Sequence, residues 1–303
     1  MNQTVKFSLG ALQKAGAEKA QAVLVNTEKH EINVNAGQIS LFRTTFDTNL
    51  YLDGIVNDQK GSTSINKIEE AAIDKAAQKT MELALSSPAD KANDIAEMQA
   101  PKAFFAGPQK PDLDQMYLRL TEFLRYARMK YPHVIIEELN FDFSRKTKFF
   151  ANSNGVDFES SRGIYSFMVV FTAKKGAQNS SFNYTVFQTQ TLDKPFSECG
   201  SIARLLQQSS EQLNLKSVPQ KFVGDVIITP DCLSEMLYSI IHYLSDYPLI
   251  AGNSIYKDKL NQAIANSSFT LHSQPLSNEL AANYFITSDG FEAKNTTIIE
   301  KGI

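Results

Sequence analysis

The sequence predicts an α+β fold in two domains, and three observations support this prediction. The chain has 303 residues, a length that favours two domains. Alternating apolar and polar residues, the pattern of strands with one buried face, occur in two separate blocks. Helical periodicity flanks these blocks instead of following every strand, which is typical of α+β proteins.

The composition and charge argue against several classes of protein. Hydrophobic residues make up 43% of the chain and charged residues 21%, which is ordinary for a globular protein. The net charge is −3 and no long basic block occurs, so we expect no direct binding of nucleic acid. The N-terminus lacks the apolar core of a signal peptide, and no stretch approaches the roughly 20 apolar residues of a membrane span.

The cysteines indicate the compartment. Cys199 and Cys232 are the only two, and two distant cysteines in a chain of this length are typical of thiols in a reducing environment. Together with the missing signal peptide and membrane span, they predict a cytoplasmic protein that contacts no membrane.

The first predicted elements run to residue 111. Apolar residues at helical spacing predict a helix over residues 7–17. Period-two alternation then predicts a meander of short strands, separated by breaks at residues 28–29, 36–37, 53–54 and 61. A helix over residues 67–85 follows, with Asn66 as its N-cap. Residues 86–111 contain four prolines and are predicted to form a long connection.

The second group of elements begins at Asp112, which is predicted to open an amphipathic helix. Residues 152–155, Asn-Ser-Asn-Gly, form a strong turn signal because Asn and Gly tolerate a positive φ. A further helix is predicted over residues 195–215. Strands are predicted over residues 135–144, 146–151, 156–173 and 181–190.

The polar stretch 216–224, which contains Pro219, is predicted to be a domain boundary. It separates an N-terminal α+β domain, residues 1–215, from residues 222–303. The second region is predicted to be the start of a β-rich C-terminal domain, opening with a short strand over residues 225–229.

The helix predicted from Pro230, with Thr229 as its N-cap, carries the one polar cluster that suggests chemistry. Glu235 and His242 on its polar face are about 10.5 Å apart along the axis, whereas helical metal ligands are usually three or four residues apart. We therefore favour a solvated polar face, which comprises Cys232, Glu235, Ser239 and His242. The three other histidines are expected at the surface or partly packed: His30, His133 and His272.

Four short segments of the sequence, taken together, resemble those of a known family. They are residues 12–16 with the strands up to residue 39, residues 61–64, residues 151–156 and residues 224–231. In this order, over nearly the whole chain, they resemble the TldD/PmbA family, once called modulators of DNA gyrase. The resemblance is to the PmbA (TldE) branch in particular.

This resemblance carries implications for the helix that follows residue 229. Active TldD-type members have a His-Glu-x-x-x-His motif there, in which the histidines bind zinc and the glutamate is the catalytic base. Tyr238, Ser239 and Tyr243 stand at those positions, and none can replace its counterpart. The resemblance implies that this chain has no catalytic residue, no metal ligand and no cofactor of its own.

By the same resemblance, the chain is the silent half of a two-subunit peptidase. A TldD-like catalytic subunit supplies the zinc, although a homodimer stays open as the assembly. An extended peptide substrate binds in a cleft between subunits, partly by strand addition. Residues 300–303 are similar to a family segment after which more sequence normally follows. The C-terminal domain is therefore expected to be incomplete, either in a piece of a longer chain or in a short member.

Two other interpretations stay open at this point. One is a metallopeptidase in its own right, with ligands from the face of Cys232, Glu235 and His242, from His272, or from residues that are absent here. The other is a binding or scaffold protein that has lost both catalysis and partner.

Overall fold

A computed structural model describes residues 2–215, 217, 220–221 and 223–303 of the chain. The described residues form six α-helices and a sheet that is mainly antiparallel, so the predicted α+β class is confirmed. In this part of the chain, no helix has both the length and the apolar character needed to cross a membrane.

Residue contacts divide the chain into two compact units. Unit 1 comprises the chain up to Leu213 together with Pro275–Lys294, and unit 2 comprises Asn214–Gln274 with Asn295–Ile303. The predicted domains, residues 1–215 and 222–303, stay a prediction. The boundary predicted at 216–224 lies partly outside the described residues.

Helix α1, Gln3–Lys14, opens unit 1. It begins earlier than predicted because Asn2 caps it: the Asn2 side chain accepts a hydrogen bond from the backbone N–H of Thr4 at 3.0 Å. Its buried residues, Leu9 and Leu12 among them, pack towards the sheet.

The predicted meander is in fact two long strands and one short strand: β1 Lys19–Asn35, β2 Gln38–Val56 and β3 Gln59–Ile65. The break predicted at 36–37 is confirmed as the β1–β2 turn, where both residues have a positive φ. The breaks predicted at 28–29, 53–54 and 61 are wrong, because these residues lie inside strands.

Helix α2, Glu70–Ser86, explains why the glycines do not end these strands. A Cβ at Gly61 would lie 2.1 Å from the carbonyl oxygen of Thr80 in α2, and a Cβ at Gly54 would lie 2.6 Å from the sulfur of Met81. The glycines thus mark close packing of α2 on the sheet and not turns. The helix begins after Glu69, so Asn66 is not its N-cap.

The long connection predicted over residues 86–111 contains a strand, β4, Lys102–Ala106. It pairs in parallel with β6, Asp157–Lys175. Its burial is uneven, with Phe104 buried and Phe105 exposed, so no clear alternation marked it in the sequence.

Helix α3, Leu113–Lys130, begins where predicted, because Asp112 accepts a hydrogen bond from the backbone N–H of Gln115 at 2.9 Å. Strand β5, Val134–Asn152, is continuous and leads into β6 through the predicted turn at 152–155. In that turn the Asn152 side chain accepts the backbone N–H of Val156 at 3.0 Å.

Unit 1 ends its first segment with β7, Gln178–Asn179, β8, Asn183–Thr189, and helix α4, Ile202–Glu211. Short 3-10 turns at Phe196–Glu198 and Gln212–Asn214 flank α4, so the helix is shorter than the predicted 195–215.

The strand order of the sheet is β3-β2-β1-β5-β6-β4, with β7 and β8 also pairing with β6. Because side chains alternate along strands, the sheet has two distinct faces. The packed face carries Ala22, Leu24, Ile32 and Val34 of β1, and helices α1–α4 contribute to the two hydrophobic clusters on it. The open face carries Gln21, Val23 and Val25 and their partners on neighbouring strands.

A polar row separates the two clusters of the packed face and explains why β1 and β5 continue through charged residues. The His30 ring contacts the Glu28 carboxylate at 2.8 Å, and Arg145 of β5 pairs with the same carboxylate. Charges that find partners on the next strand do not interrupt a sheet.

Unit 2 comprises α5, Pro230–Tyr243, α6, Asp246–Ile250, and two antiparallel strands, β9, Leu271–Ser273, and β10, Thr296–Ile299. Thr229 is the N-cap of α5 and Pro230 its first residue, as predicted. The strand predicted at 225–229 is wrong, since these residues pair with no strand in the described part of the chain.

Candidate functional site

Helix α5 carries Tyr238, Ser239 and Tyr243, the three residues that the family resemblance predicts at the positions of the motif. Tyr238 is 74% exposed, and the exposed Ser239 donates from its hydroxyl to the carbonyl oxygen of Glu235 at 3.5 Å. Tyr243 is 37% exposed, with its ring 5.5 Å from that of His242. No residue of α5 is buried.

The donor atoms at these positions do not fit the zinc of a peptidase. Two phenols and one hydroxyl offer neither the imidazole nitrogens nor the carboxylate that such sites use. Within the described residues, no three His, Cys, Asp or Glu side chains come together as a metal site, the set of Cys232, Glu235 and His242 included. His272 lies on β9, where its Nδ1 contacts the Thr297 hydroxyl at 3.0 Å.

A second candidate site is a cleft on the open face of the sheet in unit 1. Its volume is about 550 Å³, within the range of roughly 300–1,000 Å³ that is usual for small-ligand sites. Strands β2, β1, β5 and β6 form its floor, and residues 283–288 form its wall. Its lining contains apolar side chains, such as Val23 and Val25, and polar ones, such as Gln21 and Ser160.

The strand register brings cations together on this floor. Lys146 of β5 lies directly opposite Arg162 of β6, and Lys148 lies opposite Ser160. Like charges opposite each other in an antiparallel pair destabilise a sheet. None of the three cations forms an ion pair with a carboxylate of the described residues.

The one acidic residue of the cleft lining, Asp53, has its own partners. The Ser62 hydroxyl donates to it at 2.6 Å, the Gln21 amide at 3.2 Å, and the Lys60 ammonium lies 3.6 Å away. Asp53 therefore does not offset the charge of Lys146 and Arg162.

Two of these cations, Lys148 and Arg162, have lost part of their hydration through burial. Desolvation lowers the pKa of Lys148 and that of Arg162 below their ordinary values. The Lys148 ammonium lies 5.4 Å from the centre of the Phe150 ring, a cation–π contact that compensates part of the loss of water.

The wall of the cleft is fixed by packing. A Cβ at Gly290 would lie 2.4 Å from the Phe150 ring, so this position needs glycine, and its φ of +97° also favours it. The Phe285 ring stacks on Phe104 with centroids 5.2 Å apart. The Gln99 amide donates to the carbonyl oxygen of Gly290 at 3.0 Å.

Asn283 joins the wall to the floor. The Arg162 guanidinium donates a hydrogen bond to the Asn283 carbonyl oxygen. The Asn283 residue is only 4% exposed, and its side-chain oxygen has no hydrogen-bond donor among the described residues. A buried acceptor without a donor costs about 1–3 kcal/mol.

Sequence reasoning missed this cleft. Polar residues that alternate along β5, such as Lys146 and Lys148, are typical of a solvated strand face. The wall comes from residues 283–288, far along the chain, and no local pattern connects them to the floor. The cross-strand pair of Lys146 and Arg162 becomes visible only with the register.

Comparisons with known proteins agree with the fold. Residues 221–303 match the PmbA/TldA metallopeptidase C-terminal domain. A metalloprotease PmbA homolog of Haemophilus influenzae is 24% identical over an alignment that covers 100% of this chain and 68% of that protein. The C-terminal part of the chain thus matches the PmbA/TldD family, and the whole chain is similar to a PmbA homolog. The resemblance found in its four groups of residues is thereby confirmed.

Solved structures with the PmbA/TldD fold are similar over nearly the whole chain. TldE from Thermococcus kodakarensis has a TM-score of 0.77 at 15% identity, covering 99% of this chain and 68% of that one. A Bacteroides thetaiotaomicron protein, named as a candidate modulator of DNA gyrase, has a TM-score of 0.77 at 18% identity, covering 99% and 70%. At these identities the structures support the fold and not a shared activity.

Proposed function

We propose that this chain is a non-catalytic, PmbA/TldE-like subunit of a TldD/TldE-type metallopeptidase. In this proposal a TldD-like partner supplies the zinc and the catalytic base, and this chain helps to hold the peptide substrate. The proposal is supported by the donors on α5: by the family resemblance, Tyr238, Ser239 and Tyr243 would stand where a zinc peptidase needs two histidines and a glutamate.

Two further observations support it. The chain has the fold of a solved TldE, a name that belongs to that protein and comes to this chain only as a proposal. The open face of the sheet also offers a cleft with both apolar and polar lining, which suits a peptide.

The proposed division of labour sets out what each chain does. This chain's residues bind and orient the peptide, and no proton or metal step is assigned to them. The zinc of the partner would activate the attacking water and polarise the peptide carbonyl.

The test is a mixing experiment on the full chain. The purified chain is assayed for zinc content and for cleavage of an unfolded polypeptide, alone and with a TldD-like protein that has an intact His-Glu-x-x-x-His motif. We expect no stoichiometric zinc and no cleavage by the chain alone, and cleavage in the mixture well above that of the partner alone. Stoichiometric zinc together with cleavage by the chain alone would overturn the proposal.

A further inference from the structure

The outer edge of strand β2 is open over more than half of its length. Strand β1 pairs with the whole of β2, whereas β3 pairs only with residues 50–56 on the other side. In the described part of the chain, no strand lies beside residues 38–49 at that edge. Residues 40–47 are all exposed. An open edge offers its backbone N–H and C=O groups to another strand.

We propose that this edge pairs with the same edge of a second copy of the chain. The two β2 strands would lie antiparallel about a two-fold axis at Thr45, so that Arg43 of each copy faces Asp47 of the other. This inference goes beyond the proposed function and does not rest on it, because α5 takes no part in the pairing.

Charge complementarity supports this register. Arg43 is two residues before Thr45 and Asp47 is two residues after it, so the pair forms twice, once on each side of the axis. An axis at position 43 or 47 would place like charges opposite each other, which destabilises a sheet, and an axis one residue from Thr45 pairs neither charge. The Arg43 guanidinium lies 2.7 Å from Glu31 of its own β1, and its five N–H groups leave donors for a second carboxylate.

A row of exposed aromatic rings supports the same register. Phe42 lies opposite Ile32 of β1 and Phe46 lies opposite Glu28, so both rings project from the packed face, where Phe42 is 61% and Phe46 77% exposed. In the proposed pairing, Phe46 is the diagonal neighbour of Phe42 and Phe46 of the other copy, a separation that aromatic side chains can bridge. The four rings would cover one another across the axis, which favours association through the apolar area removed from water.

The length of the open edge also fits. In this register residues 41–49 of the two copies face each other, and the pairing ends where β3 occupies the edge from Leu50 onwards. At the other end, the register between β1 and β2 shifts and leaves Ser40 as an extra residue in β2. Such a bulge bends a strand. Residues 38–39 can therefore turn away from the β3 strand of the second copy.

The size of this interface sets the expected affinity. Residues 41–49 are far fewer than the roughly 20–30 residues a side of a standard stable interface. We therefore expect a weak dimer, with a dissociation constant on the order of 10–100 µM. Because both copies use the same edge, the pairing closes on itself and should stop at the dimer.

Sedimentation equilibrium of the full chain, from about 5 to about 500 µM, measures this association. We expect monomers at the lowest concentration and dimers at the highest. Asp47→Arg places an arginine opposite Arg43 and should weaken the dimer about tenfold or more. The Asp47 carboxylate accepts from the neighbouring Asn49 amide at 2.6 Å, so the fold should be retained. Asp193→Arg, at an exposed residue outside β2, is the matched control and should leave the dimer unchanged.

Mixing two variants tests the register itself. Arg43→Asp alone should also weaken the dimer. In a mixture of Arg43→Asp chains with Asp47→Arg chains, every facing pair again joins an arginine to an aspartate, so we expect dimers of about the parent affinity. Arg43→Asp also loses the contact with Glu31, so its fold is checked by circular dichroism. The result for Asp47→Arg stands on its own if Arg43→Asp does not fold.

A disulfide locates the axis. Thr45 would face Thr45 of the other copy, with Cα atoms about 4.5–5.5 Å apart, within the range that a disulfide spans. Thr45→Cys, in a chain with Cys199→Ser and Cys232→Ser, should therefore form a covalent dimer on oxidation. Leu41→Cys in the same background is the control, because the two Leu41 residues would be roughly 27 Å apart along the strands.

Several results would overturn the proposal. They are a chain that stays monomeric at about 500 µM, a dimer that Asp47→Arg leaves intact, assemblies larger than the dimer, and equal cross-linking at positions 41 and 45. A monomer that binds an unfolded polypeptide, and loses this binding in Phe46→Ala, would assign the edge to a peptide instead. The cleavage assay with the TldD-like partner is independent: its failure leaves the dimer standing, and a monomeric chain leaves the subunit role standing.

Discussion

The two faces of the large sheet differ in what fills them. On the packed face, aromatic side chains interlock: Phe141 is fully buried, and its ring lies 4.9 Å from that of Phe196 at nearly a right angle. On the open face, Lys146, Lys148 and Arg162 line a cleft, and within the described residues none of them forms an ion pair with a carboxylate. The packed face holds the two larger hydrophobic clusters, whereas the open face combines a smaller cluster around Phe150 with the polar and charged floor of the cleft. The same strands thus support a large core on one side and the candidate site on the other.

The largest expected effect on stability comes from a substitution in the core of the packed face. Phe141→Ala removes a buried ring that contacts Phe167 and Phe196, and we expect it to lower the free energy of unfolding by about 3–5 kcal/mol. Urea unfolding followed by circular dichroism measures this. Phe46→Ala is the matched control, because Phe46 is 77% exposed on β2 and should change the free energy by less than about 0.5 kcal/mol. Equal losses would show that burial of the Phe141 ring is not what stabilises the fold.

The next effect concerns close packing of α2 on the sheet. Gly61→Ala would place a Cβ 2.1 Å from the Thr80 carbonyl oxygen, so we expect a loss of about 1–3 kcal/mol. Gly10→Ala is the control of opposite sign: a Cβ there meets nothing within 4 Å, and alanine in the interior of α1 should stabilise by about 0.5–1 kcal/mol. Thermal unfolding of the two variants would contradict the account if both midpoints rose.

A smaller expected effect concerns the polar row on the packed face, which should make the stability depend on pH. The hydrogen bond from His30, together with the charge of Arg145, holds the pKa of Glu28 below its ordinary value of 4.5. A lowered pKa in the folded state gives stability that is present above pH 4.5 and is lost as the pH falls through the folded pKa. The unfolding free energy should therefore fall less steeply between pH 6 and pH 3 in Glu28→Gln than in the parent chain, measured by urea titration at each pH. Parallel curves would contradict this.

Much of the fold could be predicted from local patterns, and the exceptions share a cause. Asp112 as a helix cap and residues 152–155 as a turn depend on neighbouring residues alone, and both predictions are confirmed. Gly54 and Gly61 were interpreted as breaks although they are packing positions, because the helix that approaches them is known only from the tertiary structure. Glu28 was interpreted in the same way because its partner Arg145 is on a strand far along the chain.

The candidate sites differ in the same respect. Tyr238, Ser239 and Tyr243 of α5 lie within six residues of one another in the sequence. A family resemblance could therefore assign them to the motif positions, and that assignment stays a prediction. The cleft combines Lys146, Arg162 and Asn283 from three distant segments, and only the register of the sheet brings the cations together.

The central claim is that α5 performs no chemistry in this chain. The most direct test removes its three donors together, as Tyr238→Phe, Ser239→Ala and Tyr243→Phe, and measures peptide cleavage in the mixture with the TldD-like partner. All three residues belong to a helix without buried residues, so the variant should fold. The account predicts cleavage within about twofold of the parent mixture. Loss of cleavage with the complex still assembled, as measured by size-exclusion chromatography, would contradict it.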